Sequence, residues 1–155
     1  MYATRQIKRG FTLIEILIVV IILGILAAIV IPQFANASKD ARNSNLASTV
    51  QTLRSQIQLY KLQHGDNLPN LVTDWTPFTT VSTYGNSGNL GPYMQSIPVN
   101  PLIITTPTNA SVVVEGDGSA TKTGWTSGGF VYDYQKGAGT GRIWGVDDSG
   151  NIVTH

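Results

Sequence analysis

Glu15 is the only charged residue in the 21-residue stretch Phe11 to Ile31, FTLIEILIVVIILGILAAIVI. A carboxylate at the depth of a bilayer is costly, so such groups are rare, face a partner and mark function. The sequence just ahead, Lys8-Arg9-Gly10, suggests the partner. A second acidic feature is Asp147-Asp148-Ser149-Gly150-Asn151. It offers hard oxygen ligands of the kind Ca²⁺ takes, but the same residues also make an ordinary turn, and six or more ligands are needed.

Other chemistry finds little support. Cysteine is absent, which removes disulfides, thiolate nucleophiles and cysteine-ligated metals. His64 and His155 are the only imidazoles, and no G-x-S-x-G elbow accompanies a serine. His64 reads most simply as a helix C-terminal residue favoured by the dipole. Gly137-Ala138-Gly139-Thr140-Gly141 lacks the lysine and following helix of a phosphate-binding loop. Neither an enzyme nor a resident cofactor is expected. Ten Lys and Arg against nine Asp and Glu give a formal charge of +1, but Arg5, Lys8 and Arg9 all precede Phe11. The remainder holds seven cations against nine acids, a net of −2, scattered along the chain. That is no footprint for nucleic acid.

These residues must be positioned by a chain of 155 residues. At about 1.5 Å per residue the apolar run spans about 31 Å as a helix, enough to cross a bilayer. The positive charges before it hold residues 1–10 in the cytoplasm and send the rest outward. A cleaved secretory signal is the plain alternative, with Ala35-Asn36-Ala37 as its cut site, but its apolar core is usually about 7 to 15 residues and carries no acid. A permanent signal anchor explains the length and leaves Glu15 without a partner. Pro32 lacks an N–H and crowds the preceding turn, so a kink or local melting is expected over residues 28–32.

Beyond Pro32, Leu46, Val50, Leu53, Ile57 and Tyr60 recur at steps of four and three, with polar residues between them. This predicts an amphipathic helix over 32–64, ending at His64-Gly65 and kept from resuming by Pro69. Residues 65–110 read as loop with one short helix, over which Trp75 and Phe78 form a cap. Strands are predicted at 111–115, 129–134 and 142–146, with a short fourth at 152–154, forming an antiparallel meander on the long helix. Trp125, Tyr132, Tyr134 and Trp144 supply its apolar side. The fold class is α+β, one long helix on a small antiparallel sheet, with residues 65–155 as the globular part.

The stretch Lys8-Arg9-Gly10-Phe11-Thr12-Leu13-Ile14-Glu15 resembles the class III signal of type IV pilins and of the pseudopilins of type II secretion systems. Shorter stretches are similar to the major pseudopilins: Leu59 to Pro69, Gly91-Pro92-Tyr93-Met94 and Ile97-Pro98-Val99-Asn100-Pro101-Leu102. The resemblance implies that prepilin peptidase cuts between Gly10 and Phe11 and methylates the new amine. That amine would then neutralise Glu15 of a neighbouring copy and set filament register. It also implies helix-weakening roles for Gly24 and Pro32, with melting in the assembled filament, and a calcium loop near the C-terminus. Minor pseudopilins and an inner-membrane platform with a cytoplasmic ATPase are the implied partners. Absence of cysteine favours a pseudopilin over a pilus subunit used in adhesion, motility or DNA uptake, and Glu15 favours the shaft over the tip. A membrane-anchored binding domain remains the third reading; it requires an uncut N-terminus.

Overall fold

The computed structural model describes residues 10–86, 88–118, 124–125 and 127–153. The leader cations Arg5, Lys8 and Arg9, Lys122, Thr154 and His155 lie outside the described residues. The chain divides into two compact units, one up to Asp40 and one from Ala41. Helix α1, Leu13–Gln63, contributes to both.

In the first unit every residue from Phe11 to Asp40 is exposed, and the stretch from Leu13 to Ile31 is apolar all round except for Glu15. This is the pattern of a helix whose surroundings are lipid or other helices. The stretch is long and apolar enough to cross a membrane. The helix continues through Gly24 and through Pro32, so the single chain is helical over residues 28–32 and does not melt there. A proline removes one rung of the ladder, here to the carbonyl of Ala28, and the helical residues on either side hold their own bonds.

In the second unit the periodicity is realised: Leu46, Val50, Leu53 and Ile57 are buried along one face of α1. The helix ends in a left-handed cap. Gly65 and Asp66 have φ of 60° and 64°, and the Asp66 N–H donates to the Lys61 carbonyl at 2.9 Å, the six-to-one bond of a Schellman turn. A side chain at residue 65 would also collide with the Tyr84 hydroxyl, 2.5 Å from where a Cβ would sit.

Residues 65–110 hold more than the one short helix expected. Beyond α2, Thr76–Thr79, there is a small hairpin, β1 Ser82–Thr83 paired antiparallel with β2 Asn89–Leu90, and a 3₁₀ turn at Pro107–Asn109. Trp75 and Phe78 do not merely cap this region: both are buried in the core beneath α1.

The main sheet has the order β3-β4-β5-β6, with β3 Val113–Glu115, β4 Phe130–Tyr132, β5 Ile143–Val146 and β6 Ile152–Val153. The last three strands are antiparallel neighbours as expected, but β3 runs parallel to β4, in the register Val113↔Phe130. The sheet is therefore mixed. The reason lies in the connection: residues 116–129 are too many for a tight reversal, and a parallel pair needs a crossover of about a dozen residues.

Alternation along the strands splits the core in two. Phe130, Tyr132 and Ile143 face the α1 side with Leu46, Leu53 and Ile57, whereas Val131, Trp144 and Val146 join Ile103 and Ala110. The four aromatics expected on one side are thus divided, Tyr132 and Tyr134 with the first cluster and Trp144 and Trp125 with the second. Successive residues of a strand point to opposite faces, so Tyr132 and Trp144, offset by one across the pairing Tyr132↔Ile143, could not share one. Gly145 lets α1 approach: a Cβ there would lie 2.5 Å from Leu46.

Candidate functional site

The N-terminal end of α1 brings the key acid together with a residue that sequence reasoning passed over. Thr12 precedes the first helical residue, and its hydroxyl oxygen accepts the Glu15 N–H at 3.3 Å. In return Glu15 Oε2 accepts the Thr12 N–H at 2.8 Å and the Thr12 hydroxyl, also at 2.8 Å. This is a reciprocal capping box, which satisfies donors that a helix start leaves without partners. The signal was legible as Thr-x-x-Glu before an apolar run; the attention drawn by the lone charge hid it. Beside the box, Gly10 is exposed and Phe11 is 84% exposed, so no other described residue covers the Gly10–Phe11 bond.

Gly24 sits within α1 with nothing near the space that a Cβ would occupy. Among the described residues no contact gives Gly24 or Pro32 a role inside the single chain, in keeping with the exposure of the whole segment.

Asp147 and Asp148 accept hydrogen bonds from different loops. Asp147 Oδ1 accepts the N–H groups of Ser149 and Asn151 at 2.9 and 2.8 Å and closes its own turn. Burial works to raise its carboxyl, but the hydrogen bonds from Asn151, Ser149 and Gly150 outweigh that and hold it below the usual carboxylate range. Asp148 Oδ1 instead accepts the Ile104 and Thr105 N–H groups at 2.9 and 3.3 Å, tying the C-terminal turn to the segment after Asn100. Among the described residues no group of three or more His, Asp or Glu side chains gathers. These two acids serve as caps for loop N–H groups, which does not fit a calcium cage of six or more oxygens.

His64 stacks on Tyr60 with ring centres 3.8 Å apart, and its two nitrogens lie 3.0 Å from the Tyr60 carbonyl and from the Ser82 hydroxyl. It joins the helix end to the hairpin; its other ring nitrogen meets the Tyr60 carbonyl, and among the described residues no carboxylate bonds to the ring to make it a base for the Ser82 hydroxyl. Two further polar residues escaped the sequence because their types are common in loops. Asn100 is fully buried and donates to the carbonyls of Gly129 and Val146 at 2.6 and 2.7 Å. Asp133, equally buried, holds the loop to Gly141 through Thr140 and Gln135.

Comparison with known proteins points to the same end of the chain. The family described as the prokaryotic N-terminal methylation motif matches residues 5–31. The type II secretion system core protein G of Klebsiella michiganensis is 40% identical over 60 residues, covering 39% of this chain and 42% of that protein. Its counterpart in Pseudomonas aeruginosa is 32% identical over 103 residues, covering 63% of this chain and 70% of that protein. The type IV major pilin protein PilE of Neisseria gonorrhoeae is 30% identical over 110 residues, covering 70% of this chain and 61% of that protein. No solved structure matches the chain. An exposed apolar helix that starts at a methylation motif, carries a capped acid and continues into a small α+β unit is accounted for together by one statement: the chain belongs to the type II secretion system core protein G family.

Proposed function

We propose that this protein is the major subunit of a type II secretion pseudopilus, a structural element rather than an enzyme. The observation that carries the reading is the N-terminal stretch, where the methylation motif, the exposed apolar helix and the capped Glu15 coincide. The precursor sits in the inner membrane with residues 1–10 in the cytoplasm and the unit from Ala41 in the periplasm, as the basic leader directs. Prepilin peptidase cuts between Gly10 and Phe11, and Phe11 is N-methylated. The new amine of one copy pairs with Glu15 of the next, which replaces a costly lone acid by a neutral pair in the low-dielectric interior of the fibre. Gly24 and Pro32 weaken the helix where copies pack. Minor pseudopilins and an inner-membrane platform driven by a cytoplasmic ATPase complete the machine; neither nucleic acid nor a cofactor enters. The likeness to gonococcal pilin supports a second reading, a type IV pilus subunit.

Deleting the gene in its host and restoring it separates the two. The pseudopilus reading expects loss of protein export with surface pili intact, and recovery on complementation. Normal export with loss of surface fibres would turn the assignment to a pilus, and no effect on either would contradict both.

A further inference from the structure

Glu15 has two carboxylate oxygens, and the capping box uses one of them. Oε2 takes both bonds from Thr12, whereas among the described residues Oε1 has no hydrogen-bond partner. We propose that Thr12 is a positioning residue: it locks the Glu15 side chain in one rotamer so that Oε1 is presented to the amine of a second copy of this chain. The proposal rests on the pseudopilus reading and says how its central pair is prepared.

A glutamate has three rotatable side-chain bonds, and fixing them before the partner arrives removes that ordering cost from the docking step. The lock is also compatible with processing, because cleavage at Gly10–Phe11 converts the Phe11 amide to an amine and leaves the Thr12 amide intact. Finally, the box meets the demand of the membrane interior, where helix-start N–H groups find no water: the Thr12 and Glu15 amides are both satisfied inside the segment. The hydroxyl is the part that only serine or threonine supplies. It accepts from the Glu15 amide and donates to the Glu15 carboxylate at once.

The test uses the full chain in its host, with Thr12→Ser, Thr12→Val and Thr12→Gly. Cut, methylated subunit is measured by mass spectrometry, and sheared fibre is expressed per processed subunit. Thr12→Ser is expected within about twofold of the parent, since it keeps the hydroxyl. Thr12→Val and Thr12→Gly are each expected to fall by about tenfold, the scale of losing a hydrogen bond to a charged group. Glycine is itself a good N-cap, so a Thr12→Gly variant that assembles like the parent would reduce Thr12 to a helix cap and overturn the proposal. So would valine at parental levels, or failure of the variants to be cut at all, which would place Thr12 in peptidase recognition. Glu15→Ala is run in parallel: parental fibre there contradicts the pseudopilus reading itself, whereas normal Thr12 variants beside a defective Glu15→Ala contradict only the positioning role.

Discussion

One helix, α1, obeys two different rules along its length. From Leu13 to Ile31 it is apolar all round except for Glu15, and every described residue up to Asp40 is exposed; from Ala41 to Gln63 it is striped and buries Leu46, Val50, Leu53 and Ile57. Secondary structure is the same in both parts, so what differs is the solvent each was selected for. The second part is explained by residues of the same chain, the first, under the proposed function, by lipid and other copies. Substitutions should therefore sort by location: changes below residue 40 affect assembly and leave folding alone, and changes above it do the reverse.

The largest effect is expected from Glu15→Ala. Removing one member of the ion pair proposed to form on assembly should cut fibre yield by about tenfold or more, while thermal unfolding of the second unit, followed by circular dichroism in detergent, stays unchanged. Unfolding that shifts with this variant would erase the contrast between the two parts.

The contrast is sharpest between Leu46→Ala and Leu17→Ala, the same change on the same helix. Leu46 is fully buried against β5, and its truncation should destabilise the second unit by about 2 to 5 kcal/mol in urea titration. Leu17 is 52% exposed, and its truncation should leave that unfolding curve in place.

A comparable but more local loss is expected from Asn100→Ala, which removes the Asn100 donor from the buried carbonyls of Gly129 and Val146, the former keeping the Val146 N–H, and removes the acceptor of the Leu102 N–H. An abandoned buried polar group costs about 1 to 3 kcal/mol, and the same titration reads it.

The smallest effect concerns pH. Burial works to raise the Asp133 carboxyl, but hydrogen bonds from the Thr140 side chain and backbone and from Gln135 prevail and hold it below the usual range. A folded value below the unfolded one, about 3.9 for aspartate, means that the contribution to stability is complete above the unfolded value and disappears as pH falls through the folded one. Asp133→Asn should therefore be less stable than the parent at pH 7 and show a flatter decline below about pH 4, measured by melting across pH. Identical slopes would remove Asp133 from the acid response.

Legibility followed the range of the interactions. The buried stripe of α1, its end at Gly65, and strands β4, β5 and β6 were readable because each rests on near neighbours: a repeat of three and four, a left-handed cap, an apolar run between glycines. The parallel placement of β3 was not, since it depends on the path of residues 116–129 and on no local pattern. Nor was the β1–β2 hairpin, whose two-residue strands are too short to alternate. Asp147 and Asp148 were visible as acids, but whether they share a ligand or cap separate loops is decided by residues 104 and 105, more than forty positions earlier. Glu15 stood out at once, and its intramolecular partner did not, because Thr12 is unremarkable until the box closes.

The proposed function requires the subunit to be cut so that its new terminus can meet Glu15 of a neighbour. Intact-mass and N-terminal peptide analysis of fibres sheared from the native host tests this most directly. A polypeptide that begins at Phe11, lacks residues 1–10 and carries one methyl group on its terminal amine is the predicted result; fibres whose subunits still begin at Met1 would contradict it.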